Sequence, residues 1–401
     1  MKLEKSKKLL SKANNCIAGQ TMTMSKRADQ FVAGVYPAYV ESAKGFVIVD
    51  VDGNHFVDFM SGLGTIILGY NHPGVNRAIK KQLESGSLFS LPHRLEVKFA
   101  EEFQRHFPYV EKLKVLKTGS EAVSAAIRIA RTYTGRDNVL SCAGYHGWHD
   151  CAMHKPPANG VPMAIRRMID LVHPIEGTKI PFEPNTIAAI IVEPVMLDQG
   201  TKQWLQALRE YCDENGIVLI FDEIITGMRV PGYSIANWFN ITPDLSCFGK
   251  AMGNGMPIAV VGGKRELMDS DYFVSSTYGG EVLSMAAALE VFRVMTPAEL
   301  NALWMRGGDA LHKFNRISKH IKIRGYNTRG QIEGDTELFR ALFWQEMLKE
   351  GWLLGKAWFL TLEHDEDLLT IFIDCSTKVI RRIEAGGVQL EGSIPKEAIK
   401  R

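Results

Sequence analysis

Two unbroken apolar runs constrain this chain most: Thr186 to Val192 reads TIAAIIV, and Ile217 to Phe221 reads IVLIF. A strand with one wet face alternates apolar and polar residues, whereas a strand apolar throughout must be covered on both faces. Between the runs, Trp204 to Glu214 has helical spacing. The same alternation begins earlier: Lys112 to Lys117 reads as a strand, the alanine-rich Ser120 to Tyr133 as a helix, and Asn138 to Ser141 as a strand. This order predicts an α/β fold with a mostly parallel sheet between helices.

The flanks differ in character. Gly45 to Phe59 (GFVIVDVDGNHFVDF) alternates around Asp52-Gly53 and reads as a β-hairpin. Pro73 to Ser85 and Leu95 to Phe107 have helical spacing, the first with proline near its start. From Ser284 onward long helical segments are mixed with weak strands. Leu368, Leu369, Phe372, Cys375, Val379, Ile380 and Ile383 form an apolar stripe there. Three regions are therefore expected: an N-terminal segment and hairpin over 1–60 that packs with the small domain, a large domain over 61–290, and a small C-terminal α+β subdomain over 291–401.

The 47 basic and 45 acidic residues nearly cancel, which removes the electrostatic case for nucleic acid or an anionic membrane. No apolar run has the length of a membrane span. The basic N-terminus, MKLEKSKKLLSKANN, lacks the apolar core of a secretory signal, and its Leu3, Leu9 and Leu10 suit a short amphipathic helix. Six cysteines in 401 residues do not make a disulfide framework, so the reading is a cytoplasmic protein.

Chemistry concentrates at the ends of the apolar runs. FDEIITG (Phe221 to Gly227) delivers a carboxylate, Asp222, at a strand end. The run Leu245 to Phe248 then delivers Lys250 between Gly249 and Gly253. A lysine in tight apolar surroundings loses hydration, and its neutral amine can attack a carbonyl. A carboxylate at a neighbouring strand end can keep a pyridine nitrogen protonated. Together these two residues describe a site for pyridoxal 5′-phosphate.

Other segments admit two readings each. In LKTGSEAVSAAIRIARTY, Gly119 and Ser120 lie between strand and helix, where unpaired N–H groups suit a phosphate. The same residues read equally as an ordinary cap, with Ser120 as N-cap and Val123 in place of the glutamate of a full capping box. CAGYHGWHDC, Cys142 to Cys151, follows a strand end, where ligands bind in open α/β sheets, and Tyr145 could stack on a flat ring. Cys142, His146, His149, Cys151 and His154 also suggest a metal, although their spacing lacks the paired pattern of zinc sites. SSTYGGE, Ser275 to Glu281, is either a solvated loop or a turn offering the Thr277 hydroxyl to phosphate. SGLGTIILG (Ser61 to Gly69) lacks the third glycine of a dinucleotide fingerprint.

Taken in order, DVDGNHFVDF, GLGTIILGYNHP, TGSEAVSAAIRIAR, GYHGWHD, AAIIVEPV, FDEIITGMR, FGKAMGNGMPIAVVGG and STYGG resemble the class III aminotransferases of the fold-type I pyridoxal-phosphate superfamily. Within that group the chain is most similar to proteins of the glutamate-1-semialdehyde 2,1-aminomutase type, strongly through about residue 290 and loosely beyond it. The resemblance implies a large domain with a mostly parallel sheet of the seven-stranded type. Lys250 would hold the cofactor aldehyde and then shuttle the proton between Cα and C4′. Asp222 would pair with the pyridinium nitrogen, Tyr145 would stack on one ring face, and Ile224 would back the other. Gly119 and Ser120 would hold the phosphate, with Thr277 reaching it from the neighbouring subunit of a homodimer. His146 falls in the same cofactor-binding set, and Glu193 and Asp198 of EPVMLDQG would lie near the ring hydroxyl.

The implied reaction moves an amino group from a small-molecule donor such as glutamate to a ketone or aldehyde acceptor. Intramolecular transfer, as in the aminomutase, is the alternative. Two departures point away from the semialdehyde. The stretch Trp352 to Leu368 replaces the family's L-A-P-S-x-F-E-A segment, and Leu63 stands where an aromatic is common. No arginine between Gly351 and His364 matches the clamp that other members use for a substrate carboxylate.

Overall fold

The computed structural model describes residues 1–142, 144–153, 158–172, 182–197 and 201–396. The chain forms two units, residues 73–301 and residues 1–72 together with 302–401. Both divisions fall later than residues 60 and 290 for local reasons. Tyr70 donates to Asp58 (2.6 Å) and Ser61 Oγ donates to the Phe359 carbonyl (3.0 Å), so 61–72 stays with the smaller unit. The helix Val282–Val294 packs on Pro73–Leu83 and Arg94–His106, which keeps it with the larger one.

The larger unit is built on seven strands: β1 (Lys112–Leu116), β2 (Asn138–Cys142), β3 (Ile169–Val172), β4 (Ile187–Val192), β5 (Val218–Asp222), β6 (Leu245–Phe248) and β7 (Ala259–Gly263). Their order is β1-β7-β6-β5-β4-β2-β3. Only β7 runs against its neighbours, pairing antiparallel with β1 and β6. Every residue of β4, β5 and β6 is buried, as the unbroken apolar runs Ile187–Val192 and Val218–Phe221 require of the first two.

The helix Gly119–Thr134 covers one sheet face with Ala122, Ala125, Ala126, Ile129 and Ala130, packed on Val139, Ile191, Ile220, Cys247 and Val261. Alanine at these positions brings the helix axis close to the strands. Register then sets the site: Cys142 pairs with Val192, Val192 with Phe221, and Asp222 with Cys247. The carboxyl ends of β2, β4, β5 and β6 are level, and the residues that follow them emerge side by side.

The smaller unit contains the expected hairpin, Val47–Asp50 with His55–Asp58, extended by Val40–Lys44 and by Trp352–Leu353. The Asp50 carboxylate closes its turn by accepting the Asp52 and Asn54 N–H groups (2.9 and 2.8 Å). A three-stranded sheet, Ile321–Tyr326, Arg329–Gly334 and Ala357–Phe359, and the helices Glu337–Lys349 and Glu366–Glu384 complete an α+β unit. Among the described residues, no helix is long and apolar enough to cross a membrane.

Candidate active site at the strand ends

The segments singled out in the larger unit meet where the parallel strands end. Asp222 closes β5 and is 4% exposed. Its Oδ2 accepts from His146 Nδ1 at 2.7 Å and its Oδ1 from the Ile224 N–H at 3.2 Å. A carboxylate has about four acceptor positions, so two hydrogen bonds leave room for a third donor such as a ring N–H. His146 is 3% exposed, and its Nε2 is buried without a hydrogen-bond partner among the described residues. Burial works against the charged imidazole, but the hydrogen bond and charge of Asp222, with Glu193 behind, outweigh it and hold the His146 pKa above its ordinary value. The His146 hydrogen bond fixes the Asp222 carboxylate, whose negative charge can keep a pyridine nitrogen protonated.

Lys250 follows β6 through Gly249 and opens a short 3-10 turn, Lys250–Gly253. Its φ of +43° is in the left-handed region, where a side chain costs roughly 1–2 kcal/mol. Packing behind it supplies the constraint. Phe248, two residues before it, meets Phe107 at 4.3 Å and Phe103 edge-on at 5.2 Å between ring centroids.

Ile224 joins three parts of the site. A methyl group built on Gly119 would lie 3.1 Å from Ile224 Cδ1, and one built on Gly249 would lie 3.2 Å from the same atom. The helix start and the residue before Lys250 thus converge on one side chain, two positions after Asp222. A larger residue at either glycine would push on the Ile224 side chain.

The helix start differs from the sequence expectation. Thr118, not Ser120, is the N-cap, and a full capping box is present: Thr118 Oγ1 accepts from the Glu121 N–H (3.3 Å) while Glu121 Oε2 accepts from the Thr118 N–H (2.8 Å). The T-x-x-E pattern at 118–121 was the available signal. This correction frees Ser120, whose Oγ accepts only weakly from the Trp148 N–H (3.4 Å) and which lies in the first turn with Gly119.

The Tyr145 loop lies across that turn. A methyl on Gly147, at φ +103°, would come within 2.7 Å of Ser120 Oγ, so only glycine allows this approach. Tyr145 itself is 44% exposed, with surface available to a ring. Gly144 lies against Glu193, which follows β4 and is buried. Thr277 is exposed, in a segment tied back to the helix start by the Lys117–Glu281 ion pair (2.9 Å). Asp198 and His154 lie outside the described residues. Of the other metal candidates, His149 bonds Ser124 (2.7 Å), and among the described residues no three His, Cys, Asp or Glu side chains converge on a metal position.

The model of the family described as "Aminotransferase class-III" matches residues 30–331. The chain belongs to the class III aminotransferases. It is therefore an enzyme of amino-group transfer that uses pyridoxal 5′-phosphate on a fold-type I framework. Glutamate-1-semialdehyde 2,1-aminomutase of Methanocella arvoryzae is 32% identical to this class III aminotransferase over 389 residues, covering 85% of this chain and 91% of that protein. The aminomutase of Acetivibrio thermocellus is 35% identical over 400 residues, covering 90% and 92%. Among solved structures, the internal aldimine form of the FumI protein of Sphingopyxis sp. MTA144 superposes with a TM-score of 0.87 at 23% identity, covering 97% and 98%, a likeness of fold.

Proposed function

We propose that the chain moves an amino group from a donor such as glutamate to a ketone or aldehyde acceptor, with Lys250 as the residue that holds the cofactor and carries the proton. The observation behind this reading is the convergence of Gly119, Gly249 and Ile224 beside Asp222. Bound pyridoxal 5′-phosphate supplies an aldehyde that captures the amine and a ring that withdraws electrons from Cα.

The protein's own groups do the rest. The first-turn N–H groups around Gly119 and Ser120, with the positive end of the helix dipole, take the phosphate. Asp222, oriented by the His146 hydrogen bond, would hold the proton on the ring nitrogen. Tyr145 and Ile224 would flank the ring and exclude water from its faces. Glu193 and Asp198 serve the ring hydroxyl. Lys250 would hold the cofactor through its amine and would serve as the base that moves a proton at the substrate carbon bearing the amino group. Thr277 serves the phosphate of a second copy, and the exposed Trp148, Phe273 and Tyr278 of the larger unit suit burial in a homodimer. All six cysteines are free, in keeping with a cytoplasmic enzyme.

The test is covalent. Borohydride treatment of the cofactor-loaded protein, followed by peptide mass analysis, should place the cofactor on Lys250, and Lys250→Ala should lose both the adduct and the absorbance near the blue edge of the visible. An adduct retained in that variant contradicts the assignment.

Intramolecular transfer is a second reading, favoured by the names of the two curated relatives above. One amino compound supplied without an acceptor separates the two: a mutase turns over repeatedly, whereas a transaminase stops after one half-reaction.

A further inference from the structure

Glu223 stands between the two residues assigned to the ring and points elsewhere. Asp222 on one side meets His146, and Ile224 on the other meets Gly119 and Gly249. The Glu223 side chain, 0% exposed, enters the crossover that leads from β5 to the helix Ile235–Phe239. Its Oε2 accepts from the Thr226 hydroxyl and its Oε1 from the Ala236 N–H at 3.1 Å, so one carboxyl grips both ends of the crossover. Its backbone is equally engaged. The Glu223 N–H donates to the Cys247 carbonyl of β6 and its carbonyl accepts from the Gly227 N–H, both at 2.8 Å. Ser234 caps the helix that supplies Ala236, its hydroxyl oxygen accepting from the Asn237 N–H (3.1 Å).

We propose that Glu223 is a positioning residue: its carboxyl fastens the 223–236 crossover so that Asp222 and Ile224 meet the cofactor ring at a fixed edge and face. This rests on the pyridoxal-phosphate reading above. The titratable and charged groups around it are the Asp222 carboxylate on its own strand end, the Tyr109 hydroxyl after the helix Arg94–His106, the Cys247 thiol of β6 and the buried Arg229, whose N–H donates to the Thr226 carbonyl (3.0 Å). Burial raises the Glu223 pKa to about 7; the Thr226 hydroxyl and the crossover amides oppose the rise, and Asp222 adds to it. Burial thus favours the neutral form of Glu223 far more than that of an ordinary glutamate, which limits the negative charge placed beside Asp222 at the end of β5. The crossover is then held without competing for the ring nitrogen's proton.

Glu223→Gln preserves both grips, since the amide oxygen can accept from Ala236 and the amide nitrogen can donate to Thr226. Glu223→Ala removes both. Two measurements test the assignment. First, the melting temperature of the cofactor-free protein is followed from pH 4.5 to 8. An acid with a raised folded pKa loses its stabilising effect as pH climbs, because the unfolded chain ionises near 4.5 while the folded one keeps its proton to about 7. The wild type should therefore lose stability relative to Glu223→Gln across that window and run parallel to it above. Second, visible circular dichroism of the bound cofactor should match the wild type in Glu223→Gln and fall in Glu223→Ala, with cofactor affinity about tenfold weaker, equivalent to ~1.4 kcal/mol.

Parallel melting curves throughout, or wild-type dichroism and affinity in Glu223→Ala, overturn the proposal. Should Glu223→Ala fail to fold, Thr226→Val carries the second arm: lower dichroism supports the assignment and an unchanged signal overturns it. Failure of the wild type to take cofactor at Lys250 refutes the functional reading itself and is distinguishable from both.

Discussion

The helix start at Gly119 and the turn at Lys250 both press on Ile224, yet they are held in opposite ways. The helix start is secured by short-range polar bonds: Thr118 and Glu121 cap each other, and Lys117 pairs with Glu281. The lysine turn is secured by packing at a distance. Phe248 is wedged against Phe103 and Phe107, from a helix more than a hundred positions earlier, and the backbone at Lys250 is left in a costly conformation. N–H groups at a helix start, the phosphate cradle proposed above, tolerate small movements because the dipole acts over the whole first turn. A nucleophile must arrive at one point, and dense packing is the means of holding it there.

That contrast can be broken at its stronger side first. Phe248→Ala should destabilise the protein by roughly 3–5 kcal/mol in denaturant unfolding, since it removes a fully buried ring from a close-packed cluster. A loss near 1 kcal/mol would mean that packing does not hold the lysine turn. Thr118→Ala should cost about 1 kcal/mol and weaken cofactor affinity modestly, while Glu121→Gln, which keeps the reciprocal bond, should cost less. Equal losses in the two variants would deny the cap its part.

Backbone strain gives a finer comparison. With the amine removed in both, Lys250→Gly should be more stable than Lys250→Ala by about 1 kcal/mol in the cofactor-free protein, because glycine accepts the positive φ. The reverse order would show the turn to be relaxed. The smallest effect concerns His146. Its pKa is raised in the folded state, so its stabilising contribution is full below pH 6.5 and is lost as pH rises through the higher folded value. The melting-temperature gap between wild type and His146→Asn should therefore narrow on going from pH 6 towards alkaline conditions, and a constant gap would remove the charge from this pair.

Legibility in the sequence followed the same division. The apolar runs at Ile187–Val192 and Val218–Phe221, the hairpin around Asp52-Gly53 and the alanine-faced helix were all readable, because burial on two faces, turn chemistry and close packing each restrict residue type locally. Lys250 and Asp222 were readable as strand-end residues for the same reason. The N-cap was misplaced by two residues because Ser120 and Thr118 are both good caps, and only the partner three positions on, Glu121, distinguishes them. Pairing of His146 with Asp222 joins residues 76 positions apart and leaves no local mark. Nor does the left-handed lysine, since nothing in FGKAMGNG demands a positive φ at its third residue rather than at a glycine.

The single methyl of Ile224 touched by two glycines has a corollary for substitution. Positions 119, 224 and 249 are coupled: a bulkier residue at either glycine requires the isoleucine to yield or to shrink. The trio packs as one unit, and substitutions within it should be strongly non-additive despite being scattered across 131 positions of chain.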